Sequence, residues 1–137
     1  MKLTFKDILF SNESLETLQS LELTNSKESD LEAFELTENE IGNAFGKSLK
    51  ELRLYKKLSL AKLGKLIDIP PQTLNRYEHG INIPTITQAL KISSFFEINN
   101  ETMILYGLIP YKKDFNIIKH YEIRQLTLKF YREQGII

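Results

Sequence analysis

A double proline, Pro70-Pro71, separates two short runs of helical hydrophobic spacing and strongly limits how this part of the chain can fold. Proline has no backbone N–H and is disfavoured inside a helix, but it fits the first helical position, where that group has no partner. The run before it, 60–66, follows Ser59 as a candidate N-cap, and the run after it ends at Gly80. Helices of this length are not stable alone in water. We therefore expect two short helices at a tight turn, held in place by the rest of the domain.

A longer helix is predicted before this pair. Thr37 and Glu40 form a capping-box pattern, in which each side chain accepts a hydrogen bond from the other residue's backbone amide. Apolar residues then recur every three or four positions. Gly42 and Gly46 each lower helix propensity by ~1 kcal/mol relative to alanine. We therefore expect the packed part of this helix to begin nearer Asn43.

Two further helices are predicted after the pair. One spans 85–96, and Asn99 or Asn100 caps a short helix that ends near residue 106. Five helices with connections of about two to six residues form an all-α bundle of ordinary loop length. The helical spacing assigns to the core Ile41, Phe45, Leu49, Leu52, Tyr55, Leu63, Leu66, Ile67, Leu74, Tyr77, Ile86, Leu90, Ile92 or Ser93, and Phe96.

The two ends of the chain lie outside this bundle. Residues 1–36 are acidic and weakly patterned, so we expect a partly ordered extension with helical pieces. Residues 107–137 fit either one amphipathic helix closed by Gly135 or a strand that alternates from Leu126 onward, and the length of the pattern favours the helix. The predicted organisation is thus an acidic extension, a helical domain over 37–106 and a C-terminal extension that serves either dimerisation or packing.

Charge is distributed unevenly along the chain. The 137 residues have a formal net charge of zero, but three lysines and ten acidic residues give residues 1–45 a net charge of −7. Residues 46–137 carry the compensating +7. Such a split is typical either of two independently solvated segments or of an acidic arm on a basic body that faces a polyanion.

The composition argues against several classes of function. With no cysteine and two histidines far apart, the sequence predicts neither a disulfide framework nor a metal site. No apolar run approaches the ~20 residues that span a bilayer, and the N-terminus has no signal-peptide pattern, so we expect a soluble cytoplasmic protein without a membrane partner. Because phosphate-loop and nucleophile motifs are absent, we expect neither enzymatic activity nor a cofactor.

Two short helices joined by a turn of three to four residues form a helix-turn-helix, whose second helix can enter the major groove of DNA. Around this unit stand "GKSLKELR", "LS" four residues before Leu63, and "RYEHG" followed by Pro84. With these motifs, residues 44–106 resemble the phage-repressor-like family, the Cro/C1-type or XRE-type helix-turn-helix domains. The resemblance implies a five-helix bundle that binds double-stranded DNA, and it leaves 1–43 and 107–137 outside.

The resemblance also implies site residues. On the exposed face of the third helix, 71–77, the implied base-contacting residues are Gln72, Thr73, Asn75 and Arg76. The implied phosphate-contacting residues are Ser59, Lys62, Asn82 and Lys57. Lys56 would add general attraction to DNA, whereas Arg53 and Glu78 are implied to form a structural ion pair. The competing interpretation is that these polar residues only solvate helix surfaces.

Three positions depart from the family pattern. Leu60 stands where the family often has a glutamine that contacts phosphate, and Asp68 replaces the usual glycine of the turn. Aspartate tolerates the left-handed backbone conformation that such a turn needs. Pro70-Pro71 replaces a hydroxyl N-cap and the first exposed residue of the third helix, which removes two amide donors. Pro71 can then offer DNA only an apolar contact, for example to a thymine methyl group.

The function we expect is a sequence-specific DNA-binding transcriptional regulator that represses as a homodimer, because one helix reads too few base pairs alone. The C-terminal residues Phe115, Ile118, Leu126 and Phe130 are predicted to form either the dimer contact or part of the core. The alternative is an antitoxin or anti-regulator whose acidic residues 1–36 bind a protein partner while the helix-turn-helix serves autoregulation. The acidic arm would otherwise shield the basic surface within the same chain.

Overall fold

The computed structural model describes residues 3–4 and 35–137 of the chain. Two-residue strands β1 (Leu3–Thr4) and β2 (Glu35–Leu36) pair in antiparallel fashion, with Leu3 opposite Leu36. The helices of the described residues are α1 (Glu38–Tyr55), α2 (Leu60–Ile67), α3 (Pro71–Glu78), α4 (Ile86–Phe96), α5 (Asn100–Leu108) and α6 (Ile117–Glu133). The predicted all-α fold is confirmed. The helical pieces expected in the acidic extension lie outside the described residues.

The start of α1 agrees with the sequence-based prediction. The capping box is present: the Glu40 amide donates to Thr37 Oγ1 at 3.2 Å, and the Thr37 amide donates to Glu40 Oε1 at 3.4 Å. The helix therefore begins at Glu38, and its buried residues begin at Gly42, close to the Asn43 expected for the packed part. A Cβ atom at Gly46 would overlap a backbone carbonyl of α3, so this glycine permits close helix packing and does not mark a weak helix end.

The core is arranged around α1, which packs against α5, α3 and α6. The fully or almost fully buried apolar residues of the described part are Leu36, Ala44, Phe45, Leu49, Leu52, Leu63, Ile67, Ile69, Leu74, Tyr77, Ile92, Phe96, Ile98, Met103, Ile104, Leu105, Ile117 and Tyr121. Neighbouring helices are also joined by polar contacts. Ser48 Oγ of α1 donates to the Met103 carbonyl of α5 at 2.6 Å, and both residues are buried.

Two predictions of the buried stripe on short helices were wrong by about one position. In α2, Leu66 is exposed, because Gly64 lies against the Ile69 carbonyl and turns the buried side of the helix toward residues 63, 64 and 67. In α4, Ile86 and Leu90 are exposed, because the side toward the core is formed by residues 89, 92, 93 and 96. Helices of 8 and 11 residues show only about two and three turns of pattern, so a phase error of one residue is easily made.

The last predicted core residue of α1, Tyr55, is also exposed. Its ring packs edge-on against Tyr121 of α6, with 5.9 Å between the ring centroids. Lys56 contacts the same helix, because its Nζ donates to the Tyr121 hydroxyl at 3.0 Å and lies 5.5 Å from the centroid of the Phe95 ring. The C-terminal segment is thus the predicted helix and not the alternative strand, and it covers the end of α1.

The α6 helix is anchored at both ends. Asn116 caps its N-terminus by accepting from the amides of Ile118 and Lys119. Near its C-terminal end, Arg132 forms an ion pair with Glu97 at 3.0 Å. One face of α6 therefore packs on the bundle, and the opposite face points to solvent.

Candidate nucleic-acid interface

The turn between α2 and α3 places the double proline at a helix start. Asp68 adopts the left-handed conformation (φ 56°, ψ 53°) at the end of α2, and the Ile69 amide donates to the Gly64 carbonyl at 3.0 Å. Ile69 is buried, which fixes the turn to the core. Pro70 then occupies the N-cap position and Pro71 the first helical position, as the sequence predicts. Because neither proline has an amide proton, the start of α3 requires fewer hydrogen-bond partners.

The two sides of α3 differ sharply in burial. Leu74, Tyr77 and Glu78 are buried against the bundle. Burial raises the pKa of the Tyr77 phenol above its ordinary value. On the other side, Gln72, Asn75 and Arg76 are exposed, and Thr73 is half-buried.

Three of the four predicted base-contacting residues share one surface of α3. Gln72, Asn75 and Arg76 stand at positions i, i+3 and i+4, which are neighbours on a helix surface. Thr73 lies to one side of this face and is more enclosed. The amides of Gln72 and Thr73 belong to the first turn, where backbone N–H groups have no helical partner. The arrangement presents amide and guanidinium groups, both able to bond base edges, on a rigid helix.

The predicted phosphate-contacting residues fall into two places. Ser59 and Lys62 share the first turn of α2: the Ser59 hydroxyl caps the helix by accepting from the Lys62 amide at 3.0 Å, and both side chains are exposed. Lys57, in the connection between α1 and α2, is also exposed and has a left-handed backbone (φ 57°). Leu60 packs partly against the core, so it cannot replace the glutamine of the family pattern.

Asn82 lies apart from the first turn of α2, in the loop after α3. It is exposed and lines an open cleft whose wall includes Glu38 and Asn39 at the start of α1. Asn82 therefore lies away from the helix N-terminus at which Ser59 and Lys62 stand.

A buried ion pair fixes α3 relative to α1. Arg53 Nε lies 2.6 Å from Glu78 Oε2, and its second terminal nitrogen donates to Glu78 Oε1 at 3.0 Å. The remaining guanidinium nitrogen donates to the Leu58 carbonyl at 2.8 Å. One arginine thus joins the end of α1, the following loop and the end of α3. The structural pair expected from the sequence is confirmed.

Sequence reasoning missed residues that hold α3 at close range. Gly46 of α1 allows the carbonyl of Tyr77 to approach the helix backbone, and Gly64 of α2 does the same for the carbonyl of Ile69. Glycine inside a helix lowers the stability of the helix, so glycines at these positions were the sequence signal that could have indicated close packing. Sequence reasoning also missed that Lys56, which is exposed, contacts Tyr121 and Phe95; its expected general attraction to DNA stays a prediction.

Comparison with known protein families identifies the domain. Residues 49–99, from the second half of α1 to the start of α5, match the family model described as helix-turn-helix. No curated protein and no solved structure shows a significant match to the chain. Among the residues that the structure describes, no helix combines the length and apolar character needed to cross a membrane. Residues 49–99 therefore form an XRE-type, Cro/C1-like helix-turn-helix domain, the domain of a family of DNA-binding transcription regulators.

Proposed function

We propose that this protein is a sequence-specific transcriptional repressor that binds operator DNA as a homodimer and reads the major groove with α3. One observation carries the proposal: Gln72, Asn75 and Arg76 project from a helix whose opposite side is buried in the bundle. Such a helix can present polar groups to base edges without ordering itself on binding. The entropic cost of recognition is reduced accordingly.

The side-chain chemistry supports base recognition. The Gln72 amide can form a bidentate pair with adenine, in which its nitrogen donates to N7 and its oxygen accepts from N6, and the Arg76 guanidinium can donate to O6 and N7 of guanine. Thr73 and Asn75 have short side chains, so they reach a base edge or a phosphate only where α3 lies deep in the groove. Pro71 contributes an apolar surface at the N-terminal end of α3, the end that would enter the major groove first.

Contacts to the DNA backbone would come from the start of α2. A helix N-terminus attracts anions through its free amides, and Ser59 and Lys62 lie within this first turn. Lys57 adds a positive charge just before the helix. Asn82 completes the proposed set on the loop after α3. These contacts set affinity and orientation but carry little sequence information.

Two arguments support binding as a dimer and action as a repressor. One recognition helix reads too few base pairs to select an operator, whereas a two-fold dimer reads two half-sites about one helical turn apart. A dimer that occupies an operator blocks another protein without any additional contact, so repression requires nothing beyond DNA binding. We also propose that the protein acts in the cytoplasm.

Selection of bound sequences from random duplex DNA tests this function. We expect an inverted repeat to be enriched, and binding to weaken steeply with rising salt concentration. Replacement of Lys62 by alanine should weaken binding to all sequences about equally and lower the salt slope by about one. Enrichment of no sequence, or binding that does not depend on salt, would contradict the proposal.

A second candidate function rests on the charge split. Residues 1–36 contain three lysines and eight acidic residues, a net charge of −5, so the acidic extension is suited to a basic protein partner, as in an antitoxin or anti-regulator, or to the basic surface of its own chain. A comparison of the full chain with one that begins at Glu35, which keeps the buried Leu36, separates these cases. Loss of a partner supports the first, and tighter DNA binding supports shielding within the chain.

A further inference from the structure

The α6 helix has an apolar stripe on the side that faces away from the bundle. Ile123, Leu126 and Phe130 are 64%, 69% and 55% exposed, although each is a large hydrophobic residue. Their spacing of three and four residues places them along one face of the helix. Ile117 and Tyr121, the buried residues of α6, lie on the opposite face. The stripe is thus a continuous surface and not a set of scattered positions.

Charged residues extend the same stripe at both ends. Lys119 precedes Ile123 by four residues, and Glu133 follows Phe130 by three. The positions 119, 123, 126, 130 and 133 therefore alternate steps of four and three, which is the spacing of a helix–helix seam. Both charged residues are exposed. The seam therefore has a positive charge, Lys119, at one end and a negative charge, Glu133, at the other.

We propose that α6 pairs in antiparallel orientation with α6 of a second copy of the chain, with the two-fold axis at Leu126. In this arrangement, Leu126 meets its own copy, and Ile123 faces Phe130 of the second copy. Lys119 then lies next to Glu133 of the second copy, and this pair occurs twice. A two-fold interface requires such self-complementarity, because each residue must suit the position related to it by the axis.

The charges beside the seam agree with the same orientation. Glu122 and Lys129 lie on one flank of the stripe, and the same axis places Glu122 opposite Lys129 of the second copy. Glu122 forms a 3.8 Å contact with Lys119 of the same helix, and both groups are partly exposed. A parallel pair would instead place Lys119 against Lys119 and Glu133 against Glu133. Charge complementarity therefore favours an antiparallel second copy as the occupant.

The pairing would supply the dimer that the proposed function requires, and its biological role rests on that function. The helix has 17 residues and is about 25 Å long, and the seam from Lys119 to Glu133 covers only about four turns of it. We therefore expect self-association that depends on protein concentration. It does not require DNA, so it can be measured independently of operator binding.

Sedimentation equilibrium of the full chain without DNA tests the proposal. Wild type should show a monomer–dimer equilibrium, and Leu126→Lys should weaken dimerisation at least tenfold by placing two ammonium groups at the axis. Leu90→Lys is the matched control, since Leu90 is an exposed leucine on α4 outside this surface. Both substituted side chains are exposed in the monomer, so circular dichroism at a protein concentration below the wild-type dissociation constant should show an unchanged melting temperature. A monomeric wild type, or equal weakening by both substitutions, would overturn the proposal.

A charge exchange tests the orientation without altering the apolar stripe. Lys119→Glu and Glu133→Lys should each weaken dimerisation several-fold, because each places like charges together twice. The double variant should recover the wild-type dissociation constant. Failure of the double variant to recover would exclude the antiparallel register. A wild type that dimerises but selects no DNA sequence would refute the proposed function and leave this inference standing.

Discussion

Replacement of Arg53 by methionine should destabilise the domain strongly, because the change leaves the Glu78 carboxylate buried without a partner. The Glu78 side chain is 1% exposed, and the arginine supplies two charge-assisted hydrogen bonds to it. Breaking a buried pair from one side costs about 3–5 kcal/mol. Small domains have a total unfolding free energy of about 5–15 kcal/mol, so the loss is a large part of the whole.

The double variant Arg53→Met/Glu78→Leu should be less destabilised than the single Arg53→Met variant. It removes both charges, so no carboxylate is left unpaired, and apolar replacements of a buried pair are often close to neutral. The remaining cost comes from the Leu58 carbonyl, which loses its donor, and is roughly 1 kcal/mol. Non-additivity of this kind distinguishes a coupled buried pair from two independent residues.

Urea unfolding followed by circular dichroism at 222 nm measures these free energies. Arg132→Met is the control, because Arg132 pairs with Glu97 where both side chains are substantially exposed, and such pairs contribute about 0–1 kcal/mol. If Arg53→Met cost no more than Arg132→Met, the ion pair would not fix α3. The same conclusion would follow if the two single losses at Arg53 and Glu78 added up in the double variant.

Three other perturbations test the packing behind the interface. Gly46→Ala should cost at least about 1–3 kcal/mol, because its Cβ would overlap a carbonyl of α3. Gly42→Ala should cost less, because its Cβ would lie 3.1 Å from Cγ1 of the exposed Ile83 side chain and would meet no backbone atom; urea unfolding compares the two variants. Ser48→Ala should lower the unfolding free energy by roughly 1 kcal/mol, because the buried Met103 carbonyl loses a donor. Equal stability of the variant and wild type would show that this hydrogen bond does not stabilise the fold. Burial raises the pKa of the Glu51 carboxyl, so folding favours its protonated form. The contribution of this group to folding stability is complete below its ordinary pKa of 4.5 and is lost as pH rises. Glu51→Gln should therefore raise the melting temperature at pH 7 but not at pH 4, and a rise at both pH values would refute this cause.

The sequence predicted the features that depend on local chemistry. Thr37, Ser59 and Asn99 cap helices as their side chains suggested, and Asp68 takes the left-handed conformation that its turn needs. Caps and turns involve residues within a few positions of each other, so a single sequence contains most of the relevant information. Pro71 belongs to the same group, because its ring restricts φ whatever surrounds it.

Features that depend on distant residues were predicted less well. The exposure of Leu66, Ile86 and Leu90 follows from how α2 and α4 are rotated against the bundle. The rotation of α2 is set by the contact between Gly64 and the Ile69 carbonyl, which is not a matter of hydrophobicity. A periodic pattern therefore identified these short helices but not their exact phase.

The candidate site was predictable in its residue types and not in its surroundings. The family resemblance directed attention to Gln72, Asn75 and Arg76, and their exposure agrees with that prediction, while their contacts to bases stay a prediction. The sequence did not show that Lys56 contacts α6 or that Asn82 shares a cleft with an acidic residue. Both depend on elements that are brought together only by the fold.

The ratio of dissociation constants for a selected operator and a scrambled duplex tests most directly whether α3 reads bases. Fluorescence anisotropy at one fixed salt concentration measures both constants for wild type, Gln72→Ala and Arg76→Ala. We expect each substitution to reduce the preference for the operator by about 5- to 150-fold, which corresponds to about 1–3 kcal/mol for a lost base contact. An unchanged preference in both variants would show that this face of α3 does not read DNA sequence.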